Sequence, residues 1–258
     1  GKTVKRKPLP VAKNPVKVPK EFIKLHQDVT LAVDTFFLNK IPFFVSLSHV
    51  IYFTGAHHLP NRKIDSIFNA FKEICTCHLH HGFCIKLVLT DGEFEPLRSL
   101  IKVIPQGPKL NLSAKDEHVA DVERCTRVIK KRARAMWHAM PFNKIPSLLM
   151  IHLIFQAIQL LNYFPSKGGV LATLSPVTIM SGETLDCKKQ LCLQIGQCCQ
   201  AHEEETPHNS QHPCTKGAIT SGPSGNIQGG CHFMALNTGQ KITHHSWTEV
   251  PMPDTMIA

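Results

Sequence analysis

No acidic residue occurs in the first twenty positions, GKTVKRKPLPVAKNPVKVPK, although seven Lys or Arg and four Pro do. Such a stretch has nothing with which to build a core. Residues 1–21 are therefore expected to form an extended, basic, Pro-rich linker: a solvated tail, a phosphate-contacting arm or a nuclear-import signal. The start also lacks the basic, apolar and small-residue order of a secretory leader, and none is expected there. Acid is scarce along the whole chain, with 19 Asp plus Glu against 29 Lys plus Arg in 258 residues, a net charge of +10. An excess of that size points to a polyanionic partner, because each neutralised phosphate releases condensed counterions. Nucleic acid comes first and an acidic membrane surface second.

Uninterrupted apolar runs of membrane-spanning length are missing too. The closest approach, residues 145–164, is broken by His152, Gln156, Gln159 and Asn162, spaced to form one stripe of a packed amphipathic helix. The expectation is no membrane span. Ten cysteines are present, but a chain this long has no need of a disulfide scaffold, and reduced thiols are expected. The segment CTCHLHHGFC (75–84) matches no standard zinc-finger spacing, and Cys75 and His78 fall on the apolar stripe of a helix. The grouping of Cys187, Cys192, Cys198 and Cys199 is equally irregular.

What the chain does contain is an ordered series of elements. Three β-rich runs, VTLAVDTFF (29–37), PFFVSLS (42–48) and IYFTGAHHL (51–59), predict consecutive antiparallel strands. Ile64, Ile67, Phe68, Phe71, Ile74, Cys75, His78 and Leu79 recur at helical spacing and predict a helix that Gly82 stops. There follow a strand CIKLVLT (84–90), a short helix near 94–101, a strand KLNLS (109–113) and a long helix over 119–139. Beyond the 145–163 helix lie a Ser-Pro-initiated helix at 175–180 and four β-type runs: CLQIGQCCQAH, TKGAITSG, GCHFMAL and QKITHHSW. A small barrel of about five strands is expected from them.

Three acids stand where such an order delivers side chains to one place. Asp34 interrupts an apolar strand, where an unpaired carboxylate is costly. Asp91 ends the next inner strand, although Asp-Gly is also ordinary turn chemistry. Glu123 heads a helix on which Val122, Thr126, Ile129, Ala133 and Met136 form the apolar stripe, with Arg127, Lys130 and Arg134 in line behind the acid. Arg124 and Lys131 add to the cations of that helix. An acid leading a column of cations suits phosphodiester chemistry, with metal held at the acid and a strand of DNA along the column. A solvated helix face accounts for the cations equally well.

The order of elements is ribonuclease-H-like, and the strings VTLAVDTFFLNKIPFFVSLS, VLTDGEFEPL and EHVADVERCTRVIKKRARAM resemble, in turn, the three acidic segments of a copia-type retrotransposon integrase. IPSLLMIHLIFQAIQLLNYFP, SPVTIMSGETLD and QLCLQIGQCCQAHEE resemble the segments downstream of these in that family, and GAITSGPSGNIQGGCHFMALNTGQKITHHSWTEVP resembles its short barrel ending. The likeness runs from about 22 to 253. It implies an α/β fold with a ribonuclease-H-like core, a mixed central sheet flanked by helices, over 22–165. A connecting segment over 166–189 and a small β-barrel-like domain over 190–258 complete the expected division.

The resemblance further implies a DDE-type polynucleotidyl transferase that processes element ends and joins them to target DNA. Asp34, Asp91 and Glu123 would be catalytic and metal-binding, holding two Mg²⁺ (or Mn²⁺) ions about 4 Å apart. Arg124, Arg127, Lys130, Lys131 and Arg134 would bind DNA. It also implies self-association, a nuclear location with a cytoplasmic particle stage, and no membrane or small-molecule cofactor. Departures from the pattern are specific. Asp91 and Glu123 lie only 32 positions apart and KDEHVAD replaces the usual lead-in, which leaves Glu117 and Asp121 open as third ligand. The family's His/Cys zinc module ahead of the core is missing. A DNA-binding remnant without turnover and a ribonuclease-H-like nuclease are the alternatives.

Overall fold

The computed structural model describes residues 15–102, 104, 107–113, 119–203, 213–226 and 229–254. Most of the expected basic linker, and Glu117, lie outside them. The chain divides into two compact units, one holding residues 15–133 and 157–184 and the other 134–156 and 185–258 together with 1–14.

The first unit begins with a helix that the sequence pattern places partly in the linker, α1 (Lys20–His26), and continues with β1 (Asp28–Leu38), β2 (Ile41–Ser48) and β3 (Thr54–His58). β1 and β2 turn through Asn39 and Lys40, both at positive φ (47° and 67°), as a two-residue hairpin loop needs. β3 starts three residues later than its β-branched run predicts. Residues 49–53 make a connector in which Val50 and Tyr52 adopt φ of 73° and 59°, while Tyr52 N–H donates to Ser48 O rather than to a ladder.

Next come α2 (Ile64–His80), β4 (Cys84–Thr90), a single 3₁₀ turn (Gly92–Phe94), α3 (Leu97–Ile101), β5 (Lys109–Leu112) and α4 (Ala120–His138). The sheet runs β3-β2-β1-β4-β5, with β1 antiparallel to β2 and parallel to β4, and β4 parallel to β5. This is a mixed five-stranded sheet with β1 at its centre, the order and directions expected of a ribonuclease-H-like core.

Strand alternation divides the sheet into two faces. Leu31, Val33 and Phe44 pack with Ile67, Phe71 and Ile74 of α2 and with Phe94 and Leu97 beyond β4. On the other face Phe36 and Phe43 stack at 5.2 Å, Lys130 of α4 lies 5.3 Å over the Phe36 ring, and Thr54 Oγ1 meets Cys125 Sγ at 3.7 Å. Both helices turn their predicted stripes inward, with Ile64, Phe68, Cys75 and Met136 half-buried and Leu79 exposed at the end of α2.

α5 (Ser147–Tyr163) carries the polar stripe, three of whose four residues are buried. His152, Gln156 and Asn162 are buried, and the Asn162 amide accepts from Thr54 N–H (2.9 Å) and donates to Thr54 O (2.8 Å). Asn162 thus satisfies a buried backbone pair, whereas Gln156 Oε1 is buried without a hydrogen-bond partner. Among the described residues no helix is long and apolar enough to cross a membrane. α6 (Pro176–Ser181) starts as Ser-Pro predicts, with Ser175 Oγ accepting from Thr178 N–H at 3.2 Å.

In the second unit α7 (Cys187–Gln190) precedes β6 (Cys198–His202), β7 (Thr215–Pro223), β8 (Cys231–Ala235), β9 (Lys241–His244) and β10 (Trp247–Glu249), an antiparallel sheet in the order β10-β6-β7-β8-β9. The barrel expected here is not closed. QKITHHSW, expected as one strand, is broken at His245 and Ser246, so that β9 pairs with β8 and β10 with β6. Two linking residues reach at most about 11 Å, whereas the outer strands of a flat five-stranded sheet stand about 19 Å apart. The sheet is therefore strongly coiled, and the register shift between Thr220 and Gly222, with Gly222 at φ 120°, is where β7 bends.

Candidate active site at the end of the central strand

β1 outruns its parallel neighbour. Their last paired residues are Ala32 and Leu89, and two steps further on each strand stand Asp34 and Asp91. Asp91 retains an extended backbone (φ −78°, ψ 165°), so the shared register sets these acids side by side on one face. On the far flank β5 pairs Leu112 with Thr90, and the following Ser113 donates from Oγ to Asp91 Oδ1 at 3.1 Å. Asp34 Oδ1 accepts from the Thr35 N–H at 2.6 Å.

α4 supplies the third acid. Glu123, in its first turn, lines a cavity of about 380 Å³ together with Asp34 and with Thr126, Arg127 and Lys130, one and two turns on. Thr126 Oγ1 is buried in that wall without a hydrogen-bond partner. Thr35, Phe36 and Phe37 complete the lining, because β1 projects past the end of β4 there.

The electrostatics tie the acids together. Burial pushes the Asp34 carboxyl up to about 6 against the Thr35 hydrogen bond, and the charges of Asp91, Glu93 and Glu123 push the same way. The Asp121 carboxylate lies 3.6 Å from His49 Nε2. Of the alternatives to Glu123, Asp121 thus turns elsewhere, and Glu117 falls outside the described residues.

Glu93 is the acid that sequence reasoning passed over. It accepts from Thr35 Oγ1 (2.9 Å) and pairs with Arg62 Nη2 (2.7 Å). Its position two residues after Asp91 was a signal, but the Arg62 partner, 31 residues away in sequence, was not legible. Of the five cations, Arg127 and Lys130 border the cavity, and Arg134 continues their line. Arg124 and Lys131 lie about 60° and 40° round the helix from Arg127, on its side away from Lys130.

As donors, Asp34, Asp91 and Glu123 have the chemistry a hard divalent cation requires: carboxylate oxygens whose mutual repulsion a cation relieves. Among the described residues, however, no three His, Cys, Asp or Glu side chains are already gathered closely enough to hold a metal ion. That includes the described Cys and His of 75–84 and the cysteines of the second unit.

No protein-family model matches the sequence, and no curated protein matches it. Among solved structures the chain is similar to the catalytic core domain of BIV integrase, at 15% identity and a TM-score of 0.39, over 58% of this chain and 92% of that one. At that level the likeness adds nothing to the strand order and directions given above.

Proposed function

We propose that this chain is a metal-dependent polynucleotidyl transferase of the integrase type, from a copia-type element, which processes and joins DNA ends. One observation carries the reading: the β1–β4 register brings Asp34 beside Asp91 at a strand end where Glu123 of α4 borders the same cavity. Asp34, Asp91 and Glu123 would hold Mg²⁺ or Mn²⁺, which when bound supplies Lewis-acid stabilisation of the reacting phosphate. Arg127 and Lys130 bind the phosphates flanking the reacting one and orient the strand along α4. Asp34 is ionised at neutral pH and takes up a proton as the pH falls through about 6, so the site loses one of its negative oxygens in acid.

The lack of a gathered ligand group among the described residues favours a second reading, a nucleic-acid-binding remnant without turnover. Incubating the full chain with Mg²⁺, a labelled duplex and a circular target separates them. Joined product that disappears in Asp91→Asn supports the transferase. Salt-steep binding with no Mg²⁺-dependent product selects the remnant, and cleavage of the RNA strand of a hybrid without joining selects a nuclease.

The phosphate contacts have their own expected result. Each one lost flattens the dependence of log affinity on log salt by about 0.9, so the double variant Arg127→Ala, Lys130→Ala should lower the slope by about 2 on any duplex sequence. An unchanged slope in a salt titration of DNA binding would assign these side chains to a solvated face.

A further inference from the structure

Phe37 is 44% exposed, and a chain of polar contacts holds a cation against it. The Arg62 guanidinium carbon lies 5.3 Å over its ring. Arg62 is held there by Glu93 at 2.7 Å, and Glu93 is fixed in turn by Thr35 Oγ1 at 2.9 Å. An arginine at the surface ordinarily samples many rotamers; this one is tethered with its charge against an aromatic face. The pair belongs to the α2 face of the sheet, but Phe37 also borders the cavity that contains Asp34, Glu123, Arg127 and Lys130. It reaches that cavity because, among the described residues, β1 has no strand partner on its β4 side past Ala32.

We infer that Phe37 and Arg62 form a stacking platform for an unpaired base, an inference that rests on the nucleic-acid reading above and names the state of the strand this site takes. Aromatic rings interleaved with cations are what binding of single strands requires, since every base offers a π-face and every nucleotide a phosphate. Bases inside a duplex have their faces covered by neighbours. A base freed at a strand end does not, so the platform selects frayed or overhanging ends, with the phosphates held by Arg127 and Lys130.

Fluorescence anisotropy with the full chain tests this on three DNAs: a blunt duplex, the same duplex with a short single-stranded overhang, and one whose overhang carries abasic sites. Wild type is expected to bind the base-bearing overhang best. Phe37→Ala should weaken that binding roughly tenfold and leave the other two DNAs unchanged. Phe37→Leu, which keeps the apolar bulk without the ring, should behave like Ala, and Phe37→Trp should restore affinity. An equal loss on abasic DNA, no loss in either variant, or no wild-type preference for the overhang overturns the platform. A chain that shows the base-dependent preference but joins no DNA keeps the platform and loses the transferase reading. One that joins DNA with Phe37→Ala indifferent does the reverse.

Discussion

Asp34→Asn is expected to make the protein more stable and to abolish its metal-dependent chemistry. Folding raises the Asp34 carboxyl from 3.8 to about 6, so the ionised form is the one the fold disfavours. For an acid shifted upward the sign is fixed. Below pH 3.8 the carboxyl is neutral in both states and costs nothing; between 3.8 and 6 the penalty grows as pH rises; above 6 it is present in full. A rise of that size corresponds to about 3 kcal/mol, and partial exposure of the group reduces this to on the order of 1–2 kcal/mol. Asparagine keeps the shape and removes the charge. At pH 7.5 its melting temperature should exceed that of wild type by a few degrees, with the gap closing toward pH 4. Joining activity should fall by roughly 10²–10³-fold or more, because a charge placed for the transition state has gone. Paired thermal melts at the two pH values decide the point; an Asn variant equal to or less stable than wild type at pH 7.5 would mean that Asp34 is not a buried, acid-crowded carboxylate.

Phe44→Ala should come close to unfolding the first unit. The side chain is fully buried on β2 among Val33, Phe71 and Leu97, and its ring sits 6.1 Å from that of Phe94. Removing a buried phenyl group costs about 3–5 kcal/mol, a large share of the roughly 5–15 kcal/mol that holds a domain together. The damage should also reach the site, since Phe94 anchors the 3₁₀ turn directly after Asp91. Urea denaturation is expected to show a midpoint reduced by roughly a fifth or more with an unchanged slope. A loss below about 1 kcal/mol would mean that the pocket collapses around the missing ring.

Much of the first unit was legible because its helices and strands obey their periods. The α2 and α4 stripes turn inward as their spacing predicts, and β4 and β5 lie within a residue of their expected bounds. Legibility failed wherever a distant partner outweighed the local pattern. Apolar content carries IYFTGAHHL as a strand from Ile51, yet hydrogen bonds back to Thr30 and Ser48 turn residues 49–53 out of the ladder. Four polar residues on α5 suggest a wet face, yet three are buried, and Asn162 closes the Thr54 backbone.

What the amino-acid sequence determined by itself was the succession of elements, the positive balance of charge, and an acid in the middle of an apolar strand, because these depend on composition and on spacing within one segment. Only the tertiary structure decided which of those acids become neighbours. The register of β1 against β4 joins Asp34 to Asp91, α4 adds Glu123 and turns Asp121 toward His49, and Arg62 with Glu93 sets Phe37 at the rim. Strand pairing and helix packing bring together residues tens of positions apart, and no local pattern along the chain encodes those distances.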